Sequence, residues 1–207
     1  MKENERNIRR NLVIEAAHQL MIAARTAPKA KGCDIIEIVL VSDRSDLEAL
    51  AAEMRRQADI TGMKFLLRDA DNILAGEAVL LIGSHALPQS LNCAYCGYDS
   101  CALKPDYVPC AFNSIDVGIA VGSVCSRAAD LRLDSRVMFS AGWCSQKLNW
   151  LPDCSLSIAI ALGAASKNPF FDPEQKFGFV VICNGAKSDM LAPIQTLLYN
   201  HFIKPIK

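Results

Sequence analysis

Several things are scarce in this sequence, and each absence narrows its function. Neither sign of charge is in excess: 22 Lys and Arg face 22 Asp and Glu over 207 residues. Nucleic acid and acidic membrane surfaces select basic faces, so neither is expected as the main partner. Long apolar runs are missing too. The most hydrophobic stretches, Ala78–Gly83 and Leu156–Ala165, fall far short of the roughly 20 residues that span a bilayer. The opening residues Met1-Lys2-Glu3-Asn4-Glu5-Arg6 are charged and lead into no unbroken apolar segment. No secretory signal is read there, and a reducing, cytoplasmic setting is expected. No G-x-S-x-G elbow and no Walker or G-x-G-x-x-G phosphate loop occurs. Histidine is limited to His18, His85 and His201. Of these, only His85, eight residues before Cys93, is placed to donate to a group held by the cysteines. With no internal repeat or low-complexity linker, residues 1–207 read as a single domain.

What is present is an ordinary folding mixture, 51% hydrophobic and 21% charged, together with nine cysteines. In a reducing compartment cysteines serve more often as thiols or metal ligands than as disulfides. Cys33, Cys125, Cys144, Cys154 and Cys183 stand singly in apolar surroundings and read as small buried hydrophobes. Cys93, Cys96, Cys101 and Cys110 instead fall within eighteen residues, as C-x2-C-x4-C-x8-C. Four thiolates on one loop suit a soft metal centre, an iron–sulfur cluster or zinc. Structural zinc sites usually pair two short knuckles. Here a single C-x2-C knuckle is followed by looser spacings, which points to a [4Fe–4S] cluster with zinc as the alternative. Cys33 is a possible substitute ligand. Tyr95, Tyr98 and Phe112 flank the ligands and read either as a shield against water or as apolar anchors for the loop.

Helical spacing of Ile8, Leu12, Ala16, Leu20 and Ala23 predicts an amphipathic helix over residues 5–24. A Pro- and Gly-containing loop follows at Arg25–Gly32. Ile35–Val41 and Ala78–Ile82 read as buried strands. Ser45 and Glu48 have capping-box spacing, which opens a helix running to about Ala58. Residues from about 84 to 114 lack periodicity, and a loop this long implies a function or an external constraint. Asp116–Leu131 reads as a helix of small residues whose Gly118 and Gly122 permit close helix packing. Leu156–Leu162 and Phe177–Cys183 read as strands, and Met190–Phe202 as a last helix. Alternating strands and helices imply a layered α/β or α+β domain.

Cys93-Ala-Tyr-Cys96-Gly97-Tyr-Asp-Ser-Cys101, then Cys110-Ala-Phe and Ile115-Asp116-Val-Gly118-Ile-Ala120-Val-Gly122-Ser123, resemble the uncharacterised ferredoxin-domain family DUF2148. So do Leu133–Met138 and Gly163–Asp172, the latter with Lys167-Asn168-Pro169-Phe170-Phe171-Asp172. The resemblance weakens after about Pro173, leaving residues 174–207 as an extension. It implies a cluster on the four cysteines and assigns no reaction. Ala23-Ala24-Arg25-Thr26-Ala27-Pro28 before a strand also resembles the start of nitroreductase-like flavoenzymes. That resemblance implies an α+β layered sheet flanked by helices, here with an inserted cysteine-rich loop, and a homodimer with FMN at its interface. The family's phosphate-binding Arg-Arg-Ser has no comfortable counterpart, because Arg9-Arg10-Asn11 lies too close to Ala27-Pro28. Arg25, Lys29 and Lys31 are the remaining cations for a flavin phosphate. Their other reading is a basic loop at a helix C-terminus, where positive charge is favoured.

Three functions follow as expectations. The first is a redox protein passing single electrons through the cluster to a partner protein, a small-molecule acceptor or a bound flavin. The second is a zinc-closed structural domain acting by association, and the third an FMN oxidoreductase with incidental cysteines.

Overall fold

The computed structural model describes residues 2–170. Four strands, β1 (Ile36–Val41), β2 (Ala78–His85), β3 (Asp134–Met138) and β4 (Cys154–Gly163), form one sheet in the order β1-β2-β4-β3. Every neighbouring pair is antiparallel. An antiparallel sheet commonly leaves one face to water, but this one does not. Val79 and Leu81 of β2, with Ala159 and Ala161 of β4, enter a core under α2 (Arg44–Thr61), α3 (Phe65–Ala75) and α5 (Phe139–Lys147). Leu80, Ile82, Ile160 and Leu162 enter a second core under α1 (Glu5–Thr26) and α4 (Ala111–Asp130). The result is a three-layer α+β domain whose central strands are apolar on both faces, which is why Ala78–Ile82 reads as an unbroken hydrophobic run. Among the described residues no helix is long and apolar enough to cross a membrane.

The helix ends follow local chemistry. Asn4 caps α1 by accepting a hydrogen bond from the Arg6 amide at 3.0 Å. The helix stops at Thr26 because Pro28 disfavours a helical Ala27, which is extended at φ −57°, ψ 142°. The buried stripe of α1 is Val13, Ala17, Leu20 and Ala24. This corrects the expected face, since Leu12 is 45% exposed; both stripes have helical spacing, and the one facing the sheet is buried. The capping box is also corrected. Asp43, not Ser45, precedes the first turn of α2, and Glu48 instead pairs with Arg44 at 3.0 Å. Strand β1 is half-buried because it lies at the sheet edge. Helix α4 begins at Ala111 rather than Asp116, and side chains built on Gly118 and Gly122 would meet open space, so neither packs closely against the other described residues. α3, β3 and α5 were not expected. The strand Phe177–Cys183, the helix Met190–Phe202, Cys183 and His201 lie outside the described residues.

Close approach of α5 to β4 depends on Gly142, where a Cβ would stand 2.5 Å from the Ser157 carbonyl oxygen and 2.7 Å from the Ile158 Cα. Both neighbours are backbone, so relief requires moving the helix off the sheet. Gly142→Ala is expected to destabilise the domain by about 2 kcal/mol or more, read as a lowered denaturant midpoint. An unchanged midpoint would show that α5 is free to shift.

Candidate metal centre

The chain from His85, at the end of β2, to Ala111, at the start of α4, has no regular structure beyond a short 3-10 turn at Cys101–Leu103. It is held by side chains that satisfy its backbone. Asn113 is fully buried in the first turn of α4, and its amide donates to the carbonyls of His85 (3.0 Å) and Leu87 (2.8 Å). Its oxygen accepts from the side chain of buried Gln89 at 3.2 Å. Lys31 Nζ donates to the Gln89 carbonyl at 3.0 Å, tying the basic loop to the cysteine loop.

Within the loop, Ser90, Asn92, Ala94 and Gly97 all take positive φ, 56°, 48°, 60° and 86°. Gly97 does so without steric cost; the other three are held there. Asn92 and Cys101 clamp each other: the Asn92 amide donates to Cys101 Sγ at 3.4 Å, and the Cys101 amide donates to Asn92 Oδ1 at 2.8 Å.

Cys93, Cys96, Cys101 and Cys110 line a single narrow pocket, with Gln89, Tyr98, Lys104 and Phe112 also in its wall. The structure therefore brings together all four cysteines that the spacing singled out. Cys110 is buried and sits at the N-cap of α4 with no capping hydrogen bond from its side chain. The positive end of the helix there favours negative charge. Tyr95 lies outside the pocket wall and stacks on Phe112, with ring centroids 5.7 Å apart. Among the described residues, no three His, Cys, Asp or Glu side chains are gathered tightly enough to share one metal ion. Soft sulfur donors on one pocket wall, an amide donating to one sulfur and a helix N-terminus together fit a thiolate-bound metal centre.

The other candidate residues lie elsewhere. Cys33 is exposed and outside the pocket wall, correcting its reading as a buried hydrophobe. The His85 ring is 2.8 Å from Glu37 across the β1–β2 pair, so its carbonyl, not its imidazole, serves the loop. Arg25 pairs with Asp34 at 2.7 Å and donates to the Ile36 carbonyl. Lys29 donates to the carbonyls of Arg25 (2.6 Å) and Ala27 (2.9 Å). Each of the three cations is thus engaged within the chain, two of them at the C-terminal end of α1. Asn92, Asn113, Gln89 and Lys104 went unnoticed in the sequence. Asn92, next to Cys93, and Asn113, in the first turn of the helix after Cys110, carry at most a weak signal.

Known proteins resemble this chain in sequence and in fold. A family described as uncharacterised proteins containing a ferredoxin domain (DUF2148) matches residues 107–173, a span that includes Cys110 but not the three earlier cysteines. An uncharacterised protein of Archaeoglobus fulgidus is 38% identical over 183 residues, covering 84% of this chain and 98% of its own. Among solved structures, a nitroreductase with bound FMN from Bacteroides fragilis has TM-score 0.53 at 12% identity, covering 84% of this chain and 86% of that one. A BluB-like flavoprotein from Clostridium difficile has TM-score 0.51 at 18% identity, covering 81% and 89%. The likeness to both confirms the nitroreductase-like fold.

The isolated thiols behave differently from the pocket set. Burial, aided by the Glu53 carboxylate, pushes Cys144 up to about 12 from an ordinary 9.0, and burial pushes Cys154 up to about 11. Unfolding returns these thiols to ordinary values, so the unfolded chain sheds protons at lower pH than the folded one. Stability present below about pH 9 is therefore lost progressively as pH climbs toward about 12. The denaturant midpoint should fall more steeply above pH ~9 in the wild type than in Cys144→Ala. Parallel curves would show that Cys144 is not the group responsible.

Proposed function

Because the chain belongs to the DUF2148 family of proteins containing a ferredoxin domain, we propose that it is an iron–sulfur redox protein with a [4Fe–4S] cluster on Cys93, Cys96, Cys101 and Cys110. The observation that carries this reading is the convergence of those four cysteines on one pocket wall. Such a cluster, when bound, supplies one-electron oxidation and reduction at a potential set by its surroundings. The chain's part is to hold and shield it. Tyr98 and Phe112 cover apolar sides of the pocket, and the Asn92 amide donates to a ligand sulfur. Hydrogen bonds to the sulfurs are among the levers that set such potentials.

Zinc, the alternative metal, is less well matched. Structural zinc sites usually pair two short knuckles, whereas here one C-x2-C is followed by looser spacings. The loop also presents Leu87, Leu91, Tyr95, Leu103 and Tyr107, all exposed, around the cysteines. These form the face on which a redox partner protein or small-molecule acceptor would approach.

Protein purified without oxygen is expected to be coloured and to hold about four iron and four acid-labile sulfide per chain. Both should be lost when Cys96 or Cys101 is replaced by Ser. A colourless protein with neither element overturns the reading, and one zinc per chain would replace it with the structural alternative. Bound flavin in the same sample tests the remaining reading, suggested by the FMN named for the Bacteroides fragilis protein. Arg25, Lys29 and Lys31 would then have to release their present partners to hold its phosphate.

We also propose a homodimer formed through the outward face of α4. Ile115 and Ile119 are 46% and 40% exposed there, and among the described residues nothing covers Gly118 or Gly122. Light scattering at micromolar concentration should give twice the chain mass for the wild type and a smaller particle for Ile119→Glu. A monomeric wild type overturns the proposal.

A further inference from the structure

Among the described residues, Lys104 is the one Lys, Arg, Asp or Glu in the wall of the pocket, and it is 7% exposed. Lysine is almost never buried this far without a partner of opposite charge, because removing an ammonium from water is costly. Among the described residues no carboxylate forms an ion pair with it. The nearest acids along the loop, Asp99 and Asp106, are exposed. Its Nζ donates instead to two carbonyls, Pro105 at 2.9 Å and Val108 at 2.6 Å. Both carbonyls lie between Cys101 and Cys110, so the ammonium is held on the segment that joins two of the four cysteines. Carbonyl dipoles hold the cation in place but do not neutralise it. Among the described residues, the groups of the pocket wall that a bound metal centre would hold as anions are the four cysteines.

We propose that Lys104 is a built-in counter-cation for the thiolate-bound cluster and that it raises the cluster's reduction potential. The inference rests on the iron–sulfur reading. Uptake of one electron from a low-potential donor would add one unit of negative charge to a cluster held in the wall that Lys104 shares. A nearby positive charge stabilises that more negative state, and a buried site screens the attraction less than water does. Because Lys104 also braces the loop through its two hydrogen bonds, the test separates charge from bracing. Lys104→Gln keeps amide donors and removes the charge, Lys104→Met removes both, and Lys104→Arg keeps both.

The experiment is a dithionite titration of anaerobically purified wild type and the three variants, followed by electron paramagnetic resonance, with iron and sulfide measured on each sample. Lys104→Gln and Lys104→Met are expected to shift the one-electron equilibrium toward the oxidised form about tenfold, a fall of about 59 mV. Lys104→Arg should stay near the wild type. Neutral variants that hold full iron and sulfide at the wild-type potential overturn the proposal, as does an Arg variant that falls as far as Gln. Iron retained by Lys104→Arg but lost from both neutral variants supports it. Loss from all three variants overturns it, since the side chain is then only a strut. A wild type without iron or sulfide overturns the iron–sulfur reading itself, an outcome visible before any potential is compared.

Discussion

The fold depends on a sheet whose two central strands are apolar on both faces. Successive side chains of a strand point to opposite sides, so Val79 and Leu81 require cover on one face, and Leu80 and Ile82 on the other. Helices must therefore flank both faces, and the chain must travel between layers. β2 ends at His85, and the next regular element, α4, covers the side that already holds α1. The connection between them crosses the end of the sheet, where neither a strand ladder nor a helix can take up its backbone groups. The cysteine loop is that connection.

Such a segment has to find hydrogen-bond partners by other means. Asn113 reaches back to the carbonyls of His85 and Leu87, Asn92 and Cys101 clamp each other, and Lys104 gathers the carbonyls before Cys110. A net hydrogen bond contributes about 0.5–1.5 kcal/mol, while fixing one residue's backbone costs about 1–2 kcal/mol. A few side-chain bonds spread over so long a loop do not meet that cost alone. A metal centre bound by four thiolates ties distant points of one loop together, and its binding energy becomes folding energy. Sites of this kind can therefore sit on irregular chain, provided that one end is anchored to a rigid element. Here that element is α4.

Much of this was legible in the sequence wherever burial leaves a one-dimensional trace. The strands β1, β2 and β4 appear as apolar runs, and α1, α2 and α4 as periodic ones. The missed elements leave weaker traces. β3 is the polar edge segment Asp134–Met138, and α5 is built from small and polar residues around Gly142. In α3, Leu66, Ala70 and Ile73 do share a face, but the helix is short and was passed over between stronger signals. The shifted stripe of α1 shows another limit: two helical faces were nearly equivalent, and only the neighbouring layer decides between them. The four cysteines were legible because their chemistry is specific to sulfur. Asn113 and Lys104 were not, because they bind backbone carbonyls, and nothing in a sequence marks which carbonyls lack a partner.

Two segments that read as independent, the basic loop after α1 and the cysteine loop, prove to share their supports. Asp116, buried on α4, accepts from the Ala30 amide with both carboxylate oxygens, at 3.0 and 3.1 Å. Asn113, three residues earlier on the same helix face, holds the start of the cysteine loop. Lys31 then bridges the two loops directly through the Gln89 carbonyl. Residues three apart on a helix are neighbours on one face, so one turn of α4 supports both segments. The α4 N-terminus thus carries one of the four cysteines, the anchor of the loop that bears the other three, and the acceptor for the neighbouring basic turn. The two loops are held by shared contacts to one helix and by one ammonium bridge between them.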